Sequence, residues 1–267
     1  MRVRYLSDLH LESQLFDTVV PAGDVLIIAG DLCHASCLDP ERKDRYAETQ
    51  RDRTLRFADA ALSRFSRVLL VPGNHDHYDG VLEETAGLFR RFLPGVTVLD
   101  TEIVHIEGVA FFGATLWSDF EGRSDAAMRA VRRGLGDYFF IKTRDTGAGA
   151  PVKFRPEHAL ARHDAAFAAL REAVASVDRP LVVVTHHAPS LQGLNPRFRG
   201  NGLDGAYASD LDGVIAASPR IRVWVHGHTH IARTYRIGDT TVRSNALGFL
   251  SKGERVPGFS AEASFEI

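Results

Sequence analysis

The chain is poor in cysteine, carries no surplus of basic charge and contains no long apolar run, and each shortage narrows what it can be. Its two cysteines, Cys33 and Cys37, cannot build a disulfide framework, and a lone C-x3-C pair lacks the second pair that a structural zinc site normally supplies. Both read as thiols in a reducing compartment, with Cys33 either a soft ligand near Asp31 or, more simply, a small residue in the loop after a strand. Lys plus Arg number 32 against 34 Asp plus Glu, so the broad basic footprint of a dedicated nucleic-acid binder is missing. No segment reaches the ~18 consecutive apolar residues needed to span a bilayer. Arg2 and Arg4 interrupt the first apolar residues, so no signal-peptide core is readable there. The expectation is a cytoplasmic protein with no membrane partner. Internal repeats and low-complexity tracts are also lacking.

What is present is enough apolar sequence, 45% of 267 residues, for one large core. A single α/β domain over residues 1–267 is expected. Five apolar stretches of strand length, residues 3–6, 25–29, 68–71, 181–184 and 223–225, are each followed closely by a polar cluster. The clusters are Asp8-Leu9-His10, Gly30-Asp31, Gly73-Asn74-His75-Asp76, His186-His187 and His226-Gly227-His228-Thr229-His230. Each alone is a common turn motif. In series they read as buried strands whose ends converge on one rim, where open α/β sheets place their chemistry.

Between the strands, Leu55, Phe57, Leu62 and Phe65 suggest a helix after the polar residues 35–55, and Leu82, Leu88, Phe89, Phe92 and Leu93 suggest another. Residues 96–99, 103–106 and 109–113 read as short strands, with Glu107-Gly108 as a hairpin turn. Residues 115–156 look irregular and aromatic, with Trp117, Tyr138, Phe139 and Phe140, and long ordered loops tend to be functional. Segments 35–55 and 115–156 are therefore expected to be lid-like insertions. Residues 157–176 predict an alanine-rich helix with Leu160, Phe167, Leu170 and Val174 on one face.

The clusters together offer carboxylate oxygens and imidazoles in numbers sufficient for two metal ions, a donor mixture that suits manganese, iron or zinc. Their order, D-x-H, G-D, G-N-H-D, H, G-H-x-H, resembles the signature of the calcineurin-like metallophosphoesterase superfamily over residues 8–230. The stretch Ala206-Tyr207-Ala208-Ser209-Asp210-Leu211, leading into Trp224-Val225-His226-Gly227-His228, is similar to its small bacterial phosphoesterases.

The resemblance implies a four-layer α/β/β/α sandwich of two mixed sheets flanked by helices. It implies that Asp8, His10 and His230 hold one metal, that Asn74, His186 and His228 hold the other, and that Asp31 bridges them. It further implies a phosphoester hydrolase in which a hydroxide held on the metals attacks phosphorus in line. His75 would protonate or stabilise the leaving oxygen, with Asp76 orienting its imidazole; an ordinary supporting histidine is the plainer alternative.

His187 reads as a substrate contact or as a hydrogen-bonding neighbour of the ligands. Arg197 and Arg199 could clamp a phosphate or form a solvated basic loop. His34, His77, Tyr78 and His226 crowd the same loops and read as supporting residues, while His105, His158 and His163 sit away from every cluster and are expected to be exposed. Gly227 would allow a tight turn that brings both His228 and His230 to metal.

The expected substrate is a small phosphorylated molecule, a phosphomonoester or a small diester. A nuclease acting on DNA or nucleotides and a non-catalytic scaffold of the same fold are the competing readings. The neutral charge weighs against the first, and the complete ligand set against the second.

Overall fold

The computed structural model describes residues 1–144 and 149–267; residues 145–148 of the expected lid lie outside that range. The first part of the chain alternates strand and helix: β1 (Arg2–Leu6), β2 (Gly23–Ala29), α1 (Arg45–Leu62), β3 (Phe65–Val71), α2 (Leu82–Phe92) and β4 (Val96–Val98). β5 (Glu102–Ile106) and β6 (Val109–Ala114) follow, then α3 (Phe120–Arg123), α4 (Asp125–Gly134), α5 (Asp137–Phe140) and the short pair β7 (Lys142–Thr143) and β8 (Val152–Lys153). The remainder is α6 (Pro156–Ser176), β9 (Leu181–Thr185), α7 (Asp212–Ala216), β10 (Ile221–His226), β11 (Ala232–Ile237), β12 (Thr240–Asn245) and β13 (Ser264–Glu266).

Two mixed sheets form the centre, ordered β13-β1-β2-β3-β4 and β11-β12-β10-β9-β6-β5. In each, the inner strands are parallel; β13 is antiparallel at one edge of the first sheet, whose other edge strand β4 is parallel, and β11 and β5 are antiparallel at both edges of the second. The strands are apolar on both faces because both faces are covered. In β2, Val25, Ile27 and Ala29 face the other sheet, while Leu26 and Ile28 face α1 and α2. In β6, Val109 and Phe111 point between the sheets, and Ala110, Phe112 and Ala114 point toward α6. The result is the expected four-layer α/β/β/α sandwich, with the parallel strands of both sheets ending on one rim.

Local chemistry sets the element ends. The Asp44 carboxylate accepts the Ala47 N–H at 2.9 Å and caps α1. Glu107 and Gly108 both take positive φ, 47° and 84°, which is what a two-residue hairpin between twisted strands requires.

Several expectations are corrected. Phe65 is the first residue of β3, not the last turn of α1, because the chain breaks at Ser63-Arg64 and enters the sheet. Segment 35–55 is less an insertion than a short 3-10 turn, Ala35–Leu38, and the first half of α1. The described residues of segment 115–156 are not irregular. Ser124 caps α4, and Trp117, Phe120, Val131, Tyr138 and Phe154 form a core of their own. On α6 the buried stripe is Ala159, His163, Ala166, Leu170 and Ala173, with Leu160, Phe167 and Val174 on its shoulders. His163 is therefore buried, not exposed, and its ring nitrogen donates to the Leu116 carbonyl at 3.1 Å.

Gly113 continues the inter-sheet face of β6. A Cβ there would lie 2.4 Å from Leu99 Cβ and 2.7 Å from Val71 Cγ2, in a core that cannot open on one side. Gly113→Ala is expected to cost about 1–3 kcal/mol through overpacking, lowering Tm by roughly 2–12 °C in a thermal melt. An unchanged Tm would contradict this packing of the two sheets.

Candidate metal centre

Each cluster sits where a parallel strand ends. Asp8 and His10 follow β1, Asp31 follows β2, Asn74 follows β3, His186 follows β9, and His228 and His230 follow β10. Five of these seven residues have left-handed backbone: φ is 56° at Asp8, 48° at His10, 55° at Asp31, 65° at His228 and 45° at His230. Such conformations are costly for residues with a Cβ and concentrate at functional sites. Here they turn successive side chains inward at the rim.

Gly227 is required for a reason other than the expected tight turn. The left-handed conformation falls on His228 and His230, whereas a Cβ on Gly227 would approach the Ala29 carbonyl at 2.7 Å and Asp8 Oδ2 at 2.8 Å. Gly73 is equally confined, since a Cβ there would meet Asp31 Oδ1 at 2.2 Å.

Candidate ligand atoms converge in four groups, of which Asp8-His10-His230 and Asp31-His186-His228 join the clusters named above, while His10-Asp31-His75 and Glu12-His34-His75 lie beside them. Asp31 lies between the first two, with Oδ1 3.3 Å from His186 Nε2 and Oδ2 3.8 Å from His10 Nε2. In three of the four imidazoles one ring nitrogen is held by a protein acceptor. His10 Nδ1 donates to Glu12 at 2.9 Å, His230 Nδ1 to Glu254 at 2.8 Å, and His186 Nδ1 to the Ala29 carbonyl at 2.9 Å. These bonds fix the tautomers and aim each Nε2 lone pair into the centre.

The consequence is a set of acceptors facing acceptors. His10 Nε2 and His230 Nε2 are 3.3 Å apart, and His186 Nε2 is 2.9 Å from Asn74 Oδ1. Asn74 cannot turn its amide nitrogen inward because that nitrogen already donates to Asp137 at 2.8 Å. Among the described residues, buried His228 Nε2 has no hydrogen-bond partner.

Such crowding needs positive charge. Burial opposes a proton on His186, but Asp31 and Asp8 outweigh it and lift its pKa to about 9. Burial, with His187 and His186 beside it, pushes His228 well below its ordinary value and leaves a neutral donor. The donor set, two carboxylates, an amide oxygen and four imidazoles, fits hard-to-borderline divalent ions.

His75 stands beside this centre, 20% exposed. Its backbone N–H donates to Asp31 Oδ1 at 2.9 Å, and its ring stacks on Tyr78 with centroids 4.2 Å apart. Asp76 does not orient it. The buried Asp76 carboxylate accepts the backbone N–H groups of Asp31, Leu32, Cys33 and Gly73, tying the β2 and β3 loops together. The carboxylate that does face the His75 ring is Glu12, 3.4 Å from Nδ1. Burial works against charge on His75, but Asp31 and Glu12 outweigh it and raise its pKa to about 9.

Glu12, Asp137 and Glu254 were missed in the sequence. For Glu12 a signal existed, since it continues the every-second-residue spacing of Asp8 and His10. Glu254 lies 24 residues beyond His230, and Asp137 lies within the aromatic segment, so neither offered a spacing to read.

A cavity of about 420 Å³ opens over Asp31, Asn74, His75, His228 and His230. His187, Arg197 and Arg199 do not line it. His187 is buried against the His228 ring, centroids 4.1 Å apart, and its Nδ1 bonds the Thr115 carbonyl at 3.1 Å. Arg197 and Arg199 are exposed, with the Arg197 guanidinium 5.3 Å above the Phe198 ring. Of the two expected lids, 115–156 contributes to the cavity wall and 35–55 does not. His77 and His226 are buried supporting residues, the first bonded to Thr85 and the second to the Gly227 carbonyl. Cys33 is buried, its thiol pushed well above the usual range by burial, and neither cysteine belongs to a ligand group among the described residues.

The calcineurin-like phosphoesterase family profile matches residues 1–232, and the chain belongs to that family. It is 23% identical over 279 residues to the uncharacterized protein L509 of Acanthamoeba polyphaga mimivirus, covering 93% of this chain and 92% of that protein. The crystal structure of phosphopantetheinyl hydrolase from Mycobacterium tuberculosis is similar with a TM-score of 0.66 at 18% identity, covering 98% of this chain and 95% of that one. That likeness is one of fold. The protein is a metal-dependent hydrolase of phosphoester bonds.

Because Asp76 satisfies four backbone donors, Asp76→Ala should strand them. Each buried unsatisfied group costs about 1–3 kcal/mol, so urea unfolding is expected to report a loss of roughly 3 kcal/mol or more. Wild-type stability with lost turnover would restore the role of orienting His75.

Proposed function

We propose that the protein uses two metal ions to hydrolyse a phosphomonoester or a small phosphodiester, within one continuous domain that includes the 115–156 segment as part of its substrate wall. The observation that carries this is the facing of acceptor atoms around Asp31: two groups of lone pairs, with one carboxylate oxygen turned to each. Asp8, His10 and His230 would hold one ion, Asn74, His186 and His228 the other, and Asp31 both. When bound, the metals polarise the phosphoryl oxygens and lower the pKa of an attacking water.

The chain's own groups do the rest. Glu12 Oε1 faces both His10 Nδ1 and His75 Nδ1, so it orients the His75 ring and leaves Nε2 as the nitrogen free to serve the leaving oxygen. The raised pKa of His75 keeps it protonated near neutrality, as a proton donor must be, and a cation on Asp31 would draw that value downward. Tyr78 fixes the ring plane by stacking, and its hydroxyl is anchored on Asp137 at 2.7 Å.

The competing readings have less support. A nuclease needs cations along a phosphate track, and the wall of this cavity carries Lys252 as its one Lys or Arg among the described residues. A scaffold would have no use for seven residues held at the rim, five of them in costly backbone. No helix among the described residues is long and apolar enough to cross a membrane.

Elemental analysis of the purified protein is expected to give two metal ions per chain, and Asp31→Asn is expected to weaken retention of both, since one carboxylate neutralises both ions. Full occupancy in Asp31→Asn would remove the bridging role.

His75→Gln should lower kcat by roughly 10²–10⁴-fold on an alkyl phosphate and distinctly less on p-nitrophenyl phosphate, whose leaving group needs little protonation. Glu12→Gln at saturating metal should show the same dependence on leaving group with a smaller loss. It should add little in a His75→Gln background, as residues acting through one another are not additive. Equal losses on both substrates would take the proton-donor role from His75.

A further inference from the structure

The cavity over the ligand groups is too large and has the wrong charge to serve the phosphoryl group alone. Its volume of about 420 Å³ falls in the range of roughly 300–1,000 Å³ typical of sites for drug-sized organic ligands. Its floor is Asp31, Asn74, His75, His228 and His230, so whatever fills the remainder is joined to the phosphorus held there.

Two segments distant in sequence supply the walls. Leu135 and Phe140 come from one, Leu194 and Phe198 from the other, and Tyr207 and Phe249 close the ends. Phe140 and Phe198 are large apolar residues that line the cavity and remain 53% and 42% exposed, and apolar walls beside a few polar groups are the usual make-up of a site for an organic ligand. Part of the wall is seated on the floor. Phe249 stacks on His10 with centroids 3.7 Å apart, Tyr207 stacks on His228 at 4.8 Å, and Asn195 beside Leu194 donates to the His230 carbonyl at 2.9 Å.

The charge pattern narrows the occupant further. Among the described lining residues Lys252 is the one Lys or Arg, and its Nζ lies 4.0 Å from the Phe249 ring centroid. Three carboxylates line the walls beyond the floor, those of Asp137, Asp204 and Glu254. A second phosphate or a carboxylate on the substrate would face these groups with no guanidinium to pair with, since Arg197 and Arg199 stand outside the cavity.

We propose that this cavity binds the organic group of the substrate and selects phosphoesters whose alcohol part is uncharged and bulky, with apolar or aromatic surface, against small esters and against esters carrying further phosphates. The proposal rests on the phosphoester reading above and names the substrate class of that same site. It assigns specificity to Phe140 and Phe198, leaving the reaction to the floor.

The test compares kcat/KM of the metal-loaded protein for phenyl phosphate, 1-naphthyl phosphate and adenosine 5′-diphosphate, together with calorimetric binding of naphthylmethylphosphonate and methylphosphonate, which are not hydrolysed. The expected result is a naphthyl-to-phenyl preference of tenfold or more, a comparable excess in binding of the larger phosphonate, and poor use of the diphosphate. Phe198→Ala and Phe140→Ala should each cut the naphthyl-to-phenyl ratio several-fold. Phe198→Arg, which adds a cation to the wall, should shift preference toward the diphosphate. Equal kcat/KM for the two aryl esters, preference for the diphosphate in the unaltered protein, or an unchanged ratio in both alanine variants would overturn the proposal while leaving the hydrolase reading in place. Hydrolysis of no ester, with the phosphonate preference intact, would overturn the hydrolase reading instead.

Discussion

The structure is organised around a place where hydrogen-bond acceptors outnumber the donors that reach them. His10 and His230 present Nε2 to each other, His186 presents Nε2 to the oxygens of Asn74 and Asp31, and Asp8 and Asp31 are buried alongside. Asp31 accepts the His75 backbone N–H and Asp8 the His228 backbone N–H, but buried carboxylates and lone pairs in excess of the donors around them are expensive to hold, and added positive charge relieves that cost. That need accounts for the outer partners as well. Glu12, Glu254 and the Ala29 carbonyl each take the far nitrogen of an imidazole, so the near nitrogen has no choice but to face the centre.

The two-sheet sandwich is what makes such crowding attainable. Parallel strands from both sheets end on one rim, and the residue bridge between Ser7 and Ala246 ties the sheets together there. Left-handed backbone at five ligand positions then aims side chains that would otherwise diverge. Asp76 completes the frame by gathering backbone donors of the β2 and β3 loops, and Gly73 and Gly227 give the close approach that any side chain would prevent. The strain at the rim is held by dry, doubly covered strands behind it.

On the proposed reading, chemistry and selectivity are borne by different parts of the chain. The proposed ligands and His75 sit just beyond strand ends. The cavity walls come from 135–140 and 194–207, segments outside both sheets that touch the proposed ligands only at Asp137, Asn195 and Tyr207 among the contacts described above. This separation is the physical reason one metal-ligand pattern can serve many esters.

Much was legible in the sequence because the signals were local. Apolar runs covered on both faces read as inner strands, and a polar cluster at the end of each run read as a ligand loop. The residues brought together at the centre are Asp8, His10, Asp31, Asn74, His186, His228 and His230, all of which the clusters had marked. Segment 115–156 misled because its helices are short and its apolar residues, such as Phe120, Val131 and Phe154, pack on one another rather than repeat at a helical period. His163 misled because an alanine stripe buries a helix face without announcing it. The sequence by itself determined the class of chemistry, since donor type and order along the chain suffice for that. Only the tertiary structure decided which carboxylate faces His75, which residues wall the cavity and that Arg197 and Arg199 stand outside it. Those are contacts between segments far apart in the chain, and no spacing in the sequence encodes a distance across the fold.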